Sequence, residues 1–301
     1  MFSLFETDVS TLAKQKVYNL IEEILIFGTV QGALLALLAI GFSLVYGVGG
    51  ILNLAHGAFY LITAYIIFWT IPLFGFWIAV VIGLVSVVVI AAITYQGLLK
   101  PLKESQIGIV LVTFALAFFF EQFVKFVGDP KTHYIVPFVP GTVTLLGVTF
   151  PAQFIALVVG SLILVTLVTL FISRSMIGKS IRAVSQDLEA AKLVGINTDM
   201  VLMTSVMISA LLVGFAAVLY APGNFIAPRI GWRYLLLAFS VTIFGGMGSI
   251  PGSIIGSFVI GYATTFTDFF ISPTFSVIIP IVVILVMLLV RPQGLLGKKE
   301  L

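Results

Sequence analysis

The chain has 301 residues, of which 60% are hydrophobic and only 9% are charged, whereas soluble domains carry about 25% charged residues. A water-soluble fold is excluded, because so few charges could not cover so much apolar surface. There is no cysteine, so disulfides, thiolate metal sites and cysteine nucleophiles are excluded as well. The net charge of +3 gives no indication of nucleic-acid binding, since Lys and Arg in such a chain mainly report membrane orientation.

Long uncharged segments predict membrane-spanning helices along the whole chain. Residues 24–99 contain no Asp, Glu, Lys or Arg, and one spanning helix needs about 20 apolar residues. Helices are expected because backbone in lipid must satisfy its own hydrogen bonds. The predicted spans are 24–47, 51–71, 75–97, 106–127, 150–173, 200–221, a glycine-broken run at 234–270, and 275–291. The sequence thus predicts an all-α, polytopic integral membrane protein with a single transmembrane domain over residues 1–301.

Basic residues predict which loops face the cytoplasm. They place the 98–105 turn, the 174–199 segment and the C-terminus inside, and loops 128–149 and 222–233 then face outward. The run 234–270 crosses twice, or crosses once with a re-entrant piece. The expected number of transmembrane helices is therefore eight or nine, some of them glycine-broken.

Glycines interrupt two apolar helices, at 46–57 and at 244–253. Irregular backbone at membrane depth is tolerated only inside protein or beside water, and paired broken helices indicate a substrate path in transporters. Close helix packing by small residues is the alternative; we favour it for the second stretch, and a path for the first. The candidate path residues are Gly47, Gly49, Gly50, Asn53, His56, Gly57, Gly245, Gly246 and Gly248.

His56 follows Asn53 by one helical turn, so the two would share a helix face. A membrane-embedded histidine could shuttle protons, but it more often bonds a backbone carbonyl freed by a helix break, and this structural role is the one we favour. Four other polar residues of the spans, together with Asp268, receive no chemical role; the four are Gln31, Glu121, Gln122 and Lys125. Glu121 and Lys125 are spaced to form an ion pair.

The segment 174–199 is a polar island that holds seven of the charged residues in a chain with 15 basic and 12 acidic ones. From 180 to 194 the spacing predicts one amphipathic helix, with Gly195 as its left-handed end and Asn197 or Asp199 capping the next helix. Its apolar stripe comprises Ile181, Val184, Leu188 and Ala191. Mixed charges favour contact with a soluble protein over a helix resting on lipid headgroups.

The chain offers no catalytic constellation. Gly178-Lys179-Ser180 is not a phosphate-binding loop, because the first glycine of that motif is missing. A histidine-rich metal site is excluded because the chain has only two histidines. We therefore expect no enzyme activity, no ATPase of its own, no metal and no cofactor.

Four blocks of sequence resemble one family. Residues 39–57, 182–199, 245–256 and 291–297 are similar, in that order, to the signatures of LivH-type permeases of branched-chain amino acid ABC transporters. In the second block, Glu189-Ala-Ala followed by Gly195 is similar to the coupling signature of ABC permeases. The resemblance marks Arg182, Asp187, Glu189, Ala190, Ala191 and Gly195 as the ATPase-coupling loop.

The resemblance implies a permease domain in a prokaryotic inner membrane that imports leucine, isoleucine and valine. Its implied partners are two cytoplasmic ABC ATPase subunits, a second LivM-type permease or another copy of itself, and an extracytoplasmic solute-binding protein. Related permeases carry urea, amides or other small solutes, so the solute stays open. A stand-alone channel or secondary transporter is the remaining alternative.

Overall fold

The computed structural model describes residues 2–128 and 130–297, with side chains described from residue 20 onward. Within them the fold is all-α apart from four short strands, as the sequence predicts. The helices are α1 (Phe2–Gly49), α2 (His56–Phe74), α3 (Phe76–Thr94), α4 (Gln106–Gly128), α5 (Gln153–Arg174), α6 (Met176–Gln186), α7 (Leu188–Leu193), α8 (Thr198–Tyr220), α9 (Ile230–Gly245), α10 (Ile250–Phe270), α11 (Pro273–Ser276) and α12 (Ile279–Val290). The strands are β1 (His133–Tyr134), β2 (Thr142–Leu145), β3 (Val148–Pro151) and β4 (Phe225–Ile226).

Eight helical segments of the described chain are long and apolar enough to cross a membrane. They are Leu20–Gly49, His56–Phe74, Phe76–Leu102, Gln106–Gly128, Gln153–Arg174, Thr198–Tyr220, Ile250–Phe270 and Pro273–Val290. The third continues α3 through a π-helical turn and a 3-10 turn. Helix α9 is also apolar, but its 16 residues span about 24 Å, less than the ~30 Å of a bilayer core.

The run 234–270 folds as two antiparallel helices, the short α9 and the longer α10. Gly245 lies against Gly252 and Val241 against Gly256, so the register runs in opposite directions. Helix α9 also begins earlier than expected, at Ile230, and shortens the predicted 222–233 loop. The described chain thus has eight full-length spans and one short ninth helix.

The loops gather at two ends of the bundle. At one, which we call the basic end, the 98–105 turn is joined to α8 by ion pairs from Lys100 and Lys103 to Asp199. The 174–199 segment and residues 291–297 also lie there. At the other, the hairpin end, β2 pairs with β3, and β1 pairs with β4, which ties the 128–149 loop to the 221–229 loop.

Helix α1 is the centre of the core. Its residues Leu34 to Ile40 are almost completely buried, and it packs against α10 through Gly28 and Gly32. A Cβ on Gly32 would lie 3.1 Å from the Cα of Phe258, and one on Gly261 would lie 2.6 Å from the backbone nitrogen of Gly32. Small residues let the two backbones approach closely, as is common between membrane helices.

Candidate translocation and coupling sites

The first glycine-broken stretch turns back into the protein. The sequence predicts a span from residue 51, but residues 50–55 are a loop and α2 begins only at His56. Gly50 has φ +62°, which ends α1, and the buried Asn53 accepts a hydrogen bond from Ala55 N through Oδ1 at 3.0 Å. Leu54 N donates to Thr113 Oγ1 of α4 at 3.1 Å. A side chain of another helix thus satisfies backbone that helix formation would otherwise have paired.

His56 joins three helices at the start of α2. Its Nε2 lies 2.8 Å from Leu38 O, about three turns before the end of α1, and its Nδ1 lies 3.2 Å from Ser209 Oγ of α8. A carbonyl only accepts, so Nε2 donates to Leu38 and Nδ1 accepts from Ser209. His56 is 1% exposed, and Phe42 contacts its ring edge-on. Both ring nitrogens are therefore engaged within the chain.

Two glycine pairs bring distant backbones into contact. A Cβ on Gly57 would lie 2.0 Å from Gly231 O, so the starts of α2 and α9 cross backbone to backbone. A Cβ on Gly47 would lie 2.8 Å from the Cα of Gly248, so the end of α1 touches the turn between α9 and α10. The second glycine-broken stretch is thus a tight helical hairpin that packs on the first.

The α9–α10 turn, residues 246–249, is held by the C-terminal segment. Leu295 N donates to Phe244 O at 2.8 Å and Leu296 N to Gly245 O at 2.9 Å, which satisfies carbonyls at the end of α9. The backbone of Gly294 passes within van der Waals contact of Gly246. The remaining candidates lie close by: Gly49 packs on Leu202, and Gly245 on Gly252.

The predicted single helix at 180–194 is wrong: the segment forms α6 and α7, with a break at Asp187. Asp187 is extended (φ −157°, ψ 110°), and its carboxylate accepts from the backbone nitrogens of Glu189 and Ala190, both at 2.9 Å. Aspartate favours such N-caps because its side chain competes for backbone donors. As expected, Gly195 ends the segment with φ +84°, and Asn197 caps α8.

The 174–199 segment has one face in the protein and one in solvent. Ile181, Val184 and Ala191 of the predicted stripe are buried, at 2–3% exposure, and Leu188 is half-buried. The other coupling residues are exposed: Arg182, Asp187, Glu189, Ala190 and Gly195. Leu193 and Val194, which sequence reasoning did not single out, project outward at 89% and 76% exposure. An apolar protrusion amid charges is typical of a site that another protein covers.

Helix α6 is seated beside the glycine contacts of the basic end. Arg182 Nη1 donates to Ile172 O at 2.6 Å and Ser173 O at 2.7 Å, which joins α6 to the end of α5. Arg182 and Ser185 line a cleft of about 230 Å³ that is walled on its other sides by Gly47 and by residues 248–251. The coupling segment therefore borders the place where α1 meets the α9–α10 turn.

A charged cluster at the hairpin end was only partly foreseen. Glu121 forms the expected pair with Lys125 at 2.5 Å, but it also accepts a hydrogen bond from Trp232 Nε1 at 2.5 Å. Arg229 Nε lies 3.8 Å from the same carboxylate. Glu121 thereby fastens the first turn of α9 to α4, a contact between residues 111 positions apart that no local pattern reveals.

Among the described residues, no group of three or more His, Asp or Glu side chains is placed to hold a metal ion. What the described residues do form is a set of clefts and an exposed protrusion.

Comparisons with known proteins point to the same class. Residues 24–288 match the family described as branched-chain amino acid transport system, permease component. The chain is 30% identical over 300 residues to the high-affinity branched-chain amino acid transport system permease protein LivH of Escherichia coli, covering 91% of this chain and 94% of LivH. It is 30% identical over 302 residues to the corresponding protein BraD of Pseudomonas aeruginosa, covering 95% and 98%.

A more distant relative is the probable branched-chain amino acid transport permease protein LivH of Methanocaldococcus jannaschii, at 23% identity over 88% of this chain and 89% of that protein. Among solved structures, PsaBC from Streptococcus pneumoniae in complex with Fab aligns with a TM-score of 0.54 at 12% identity, over 92% of this chain and 97% of that one; at this identity the likeness concerns the fold alone. The family match and the eight apolar spans make the chain a multi-pass inner-membrane protein of prokaryotes, and it belongs to the family of branched-chain amino acid transport permease components.

Proposed function

We propose that the chain is the transmembrane subunit of an ABC importer for leucine, isoleucine and valine, powered by separate ATPase subunits. The observation that carries this proposal is the two-sided 174–199 segment. Its inner face borders the contact between α1 and the α9–α10 turn, while Leu193 and Val194 stand in solvent. A partner that grips the protrusion would therefore act directly on the glycine-packed helices.

The mechanism needs no chemistry on the solute. A solute-loaded receptor docks at the hairpin end, where β1 and β4 join the two outer loops. Closure of the ATPase subunits displaces α6 and α7 at the basic end. The packed glycine helices then switch as rigid units between outward and inward opening, because close-packed interfaces are bistable and do not deform continuously.

The path runs, in this proposal, beside the buried loop at 50–55 and the hairpin of α9 and α10. Gly57 and Gly231 bring the starts of α2 and α9 together, and Asn53 Nδ2 is buried without a hydrogen-bond partner among the described residues. Discontinuous helices with ends inside the bundle commonly form transporter substrate sites. His56, with both nitrogens engaged, braces this region and shuttles no protons.

The test is a matched pair of substitutions at equally exposed valines. Val194→Asp places a charge on the protrusion, and Val136→Asp makes the same change in the loop at the hairpin end, where exposure is 72% against 76%. We expect Val194→Asp to lose ATPase subunits on co-purification and to stop ATP-driven uptake. Val136→Asp should retain the ATPase subunits. Full ATP-driven uptake by the Val194→Asp complex would rule out this docking site.

A further inference from the structure

A second polar cleft lies at the hairpin end, apart from the glycine contacts. It is lined by Gln31 of α1, Arg233 of α9, and Thr264 and Asp268 of α10, with Ser276 of α11 at its edge. Its apolar walls are Leu236, Leu237, Val277 and Pro280. Five helices, α1, α9, α10, α11 and α12, therefore contribute to one small space.

The two charges of this cleft are not paired with each other. No ion pair within 4 Å joins Arg233 or Asp268 to any described residue, and neither side chain makes a hydrogen bond there. Arg233 is exposed and Asp268 is half-buried. This contrasts with Glu121, whose carboxylate on neighbouring α4 is held by Lys125 and Trp232.

Charges on membrane helices are costly where they face acyl chains. Ionisable groups within spans are expensive in lipid and turn towards a water-filled cavity or a partner. Arg233 lies in the first turn of α9 and Asp268 in the last turn of α10. We therefore expect these two charges to face water or a partner at the hairpin end.

We propose that this cleft is a binding site for the zwitterionic backbone of an α-amino acid, an inference that rests on the proposed import function. The Arg233 guanidinium binds the α-carboxylate, since arginine pairs with carboxylates by two parallel hydrogen bonds. Asp268 binds the α-ammonium, and the Gln31 amide offers one further donor or acceptor. Leu236, Leu237 and Val277 contact the aliphatic side chain.

The site is closed in this conformation. The cleft measures about 20 Å³, room for about one water molecule, so an amino acid enters only when α9 and α10 part from α11 and α12. Such a site fills in one state of the transport cycle and empties in another, as alternating access requires.

The experiment uses a diazirine analogue of leucine that keeps both α-charges, delivered by the loaded receptor to the complete complex in proteoliposomes. We expect light-induced cross-links within residues 231–237 and 264–280. Arg233→Gln and Asp268→Asn should each lower the cross-link yield by about tenfold or more, because each removes one charge-assisted contact. The control Arg291→Gln makes the same change on an exposed arginine at the basic end, and it should leave the yield unchanged.

Three results would overturn the site. They are an unchanged yield in both variants, cross-links confined to other segments, and loss of the partner permease from the complex on substitution, which would make these charges a subunit contact. Leucine uptake by the unsubstituted complex is measured in parallel. If uptake is ATP-driven while the cross-link falls elsewhere, only the site fails. If the complex does not import leucine at all, the proposed function fails and the site with it.

Discussion

Gly47 and Gly248 touch backbone to backbone, although 201 positions separate them: a Cβ on Gly47 would lie 2.8 Å from the Cα of Gly248. The contact joins the end of α1 to the α9–α10 turn and forms one wall of the cleft beside α6. We therefore expect a displacement of α6 to reach this contact between α1 and the α9–α10 turn.

Gly47→Ala should slow uptake and lower stability, because the added methyl forces two backbones apart; overpacking of this kind costs about 1–3 kcal/mol. The matched control is Gly97→Ala, whose Cβ would meet nothing within 4 Å. Uptake per ATP hydrolysed and the melting temperature measure the two effects. If the two variants have the same uptake per ATP and the same melting temperature, the Gly47–Gly248 contact contributes to neither.

His56→Gln tests whether the histidine braces helices or moves protons. Glutamine retains an N–H donor for Leu38 O but does not titrate between pH 5 and 8, the range in which histidine does. We expect uptake and its pH profile to persist. His56→Ala, which removes the partner of the buried Ser209 Oγ, should cost about 1–3 kcal/mol of stability. A folded His56→Gln protein that has lost transport would contradict the structural role.

Trp232→Phe should loosen the start of α9, because it removes the hydrogen bond to Glu121 at 2.5 Å. Hydrogen bonds to charged groups contribute about 1.5–3 kcal/mol. Trp77→Phe, at a tryptophan that is 71% exposed, is the control. Thermal unfolding followed by tryptophan fluorescence compares the two. The Glu121 contact has no stabilising role if both variants melt alike.

Gly294→Ala should destabilise the C-terminal clamp for two reasons. Gly294 has φ +74°, and its Cβ would collide with the backbone of Gly246. Gly141→Ala isolates the first effect, since Gly141 has φ +93° but open space around it. We expect the larger drop in melting temperature for Gly294→Ala; the reverse order would contradict the clamp.

Hydrophobicity alone predicts most of this fold. Because a bilayer demands about 20 apolar residues per span, the spans could be placed to within a few residues, with the exception of α2 and α9. The stripe of Ile181, Val184 and Ala191 was confirmed as buried, since a 3.6-residue period requires only local sequence.

Contacts between distant segments could not be predicted. The late start of α2 depends on two residues of other helices. Thr113 of α4 accepts from Leu54 N, and Leu38 O of α1 accepts from the His56 side chain. The break at Asp187 was not predicted, because the apolar spacing continues across it. The break depends on one side chain, the Asp187 carboxylate, which caps α7. The shared cleft of Asp268 and Gln31 could not be predicted either, because it forms only where five helices meet.

In the proposed function, ATPase subunits drive transport through residues 174–199. The decisive measurement is leucine flux into proteoliposomes, with the complete complex and with the chain lacking ATPase subunits, each with and without ATP on the cytoplasmic face. We expect uptake only when ATPase subunits and ATP are both present. Uptake at the same rate by the chain without ATPase subunits would refute this role.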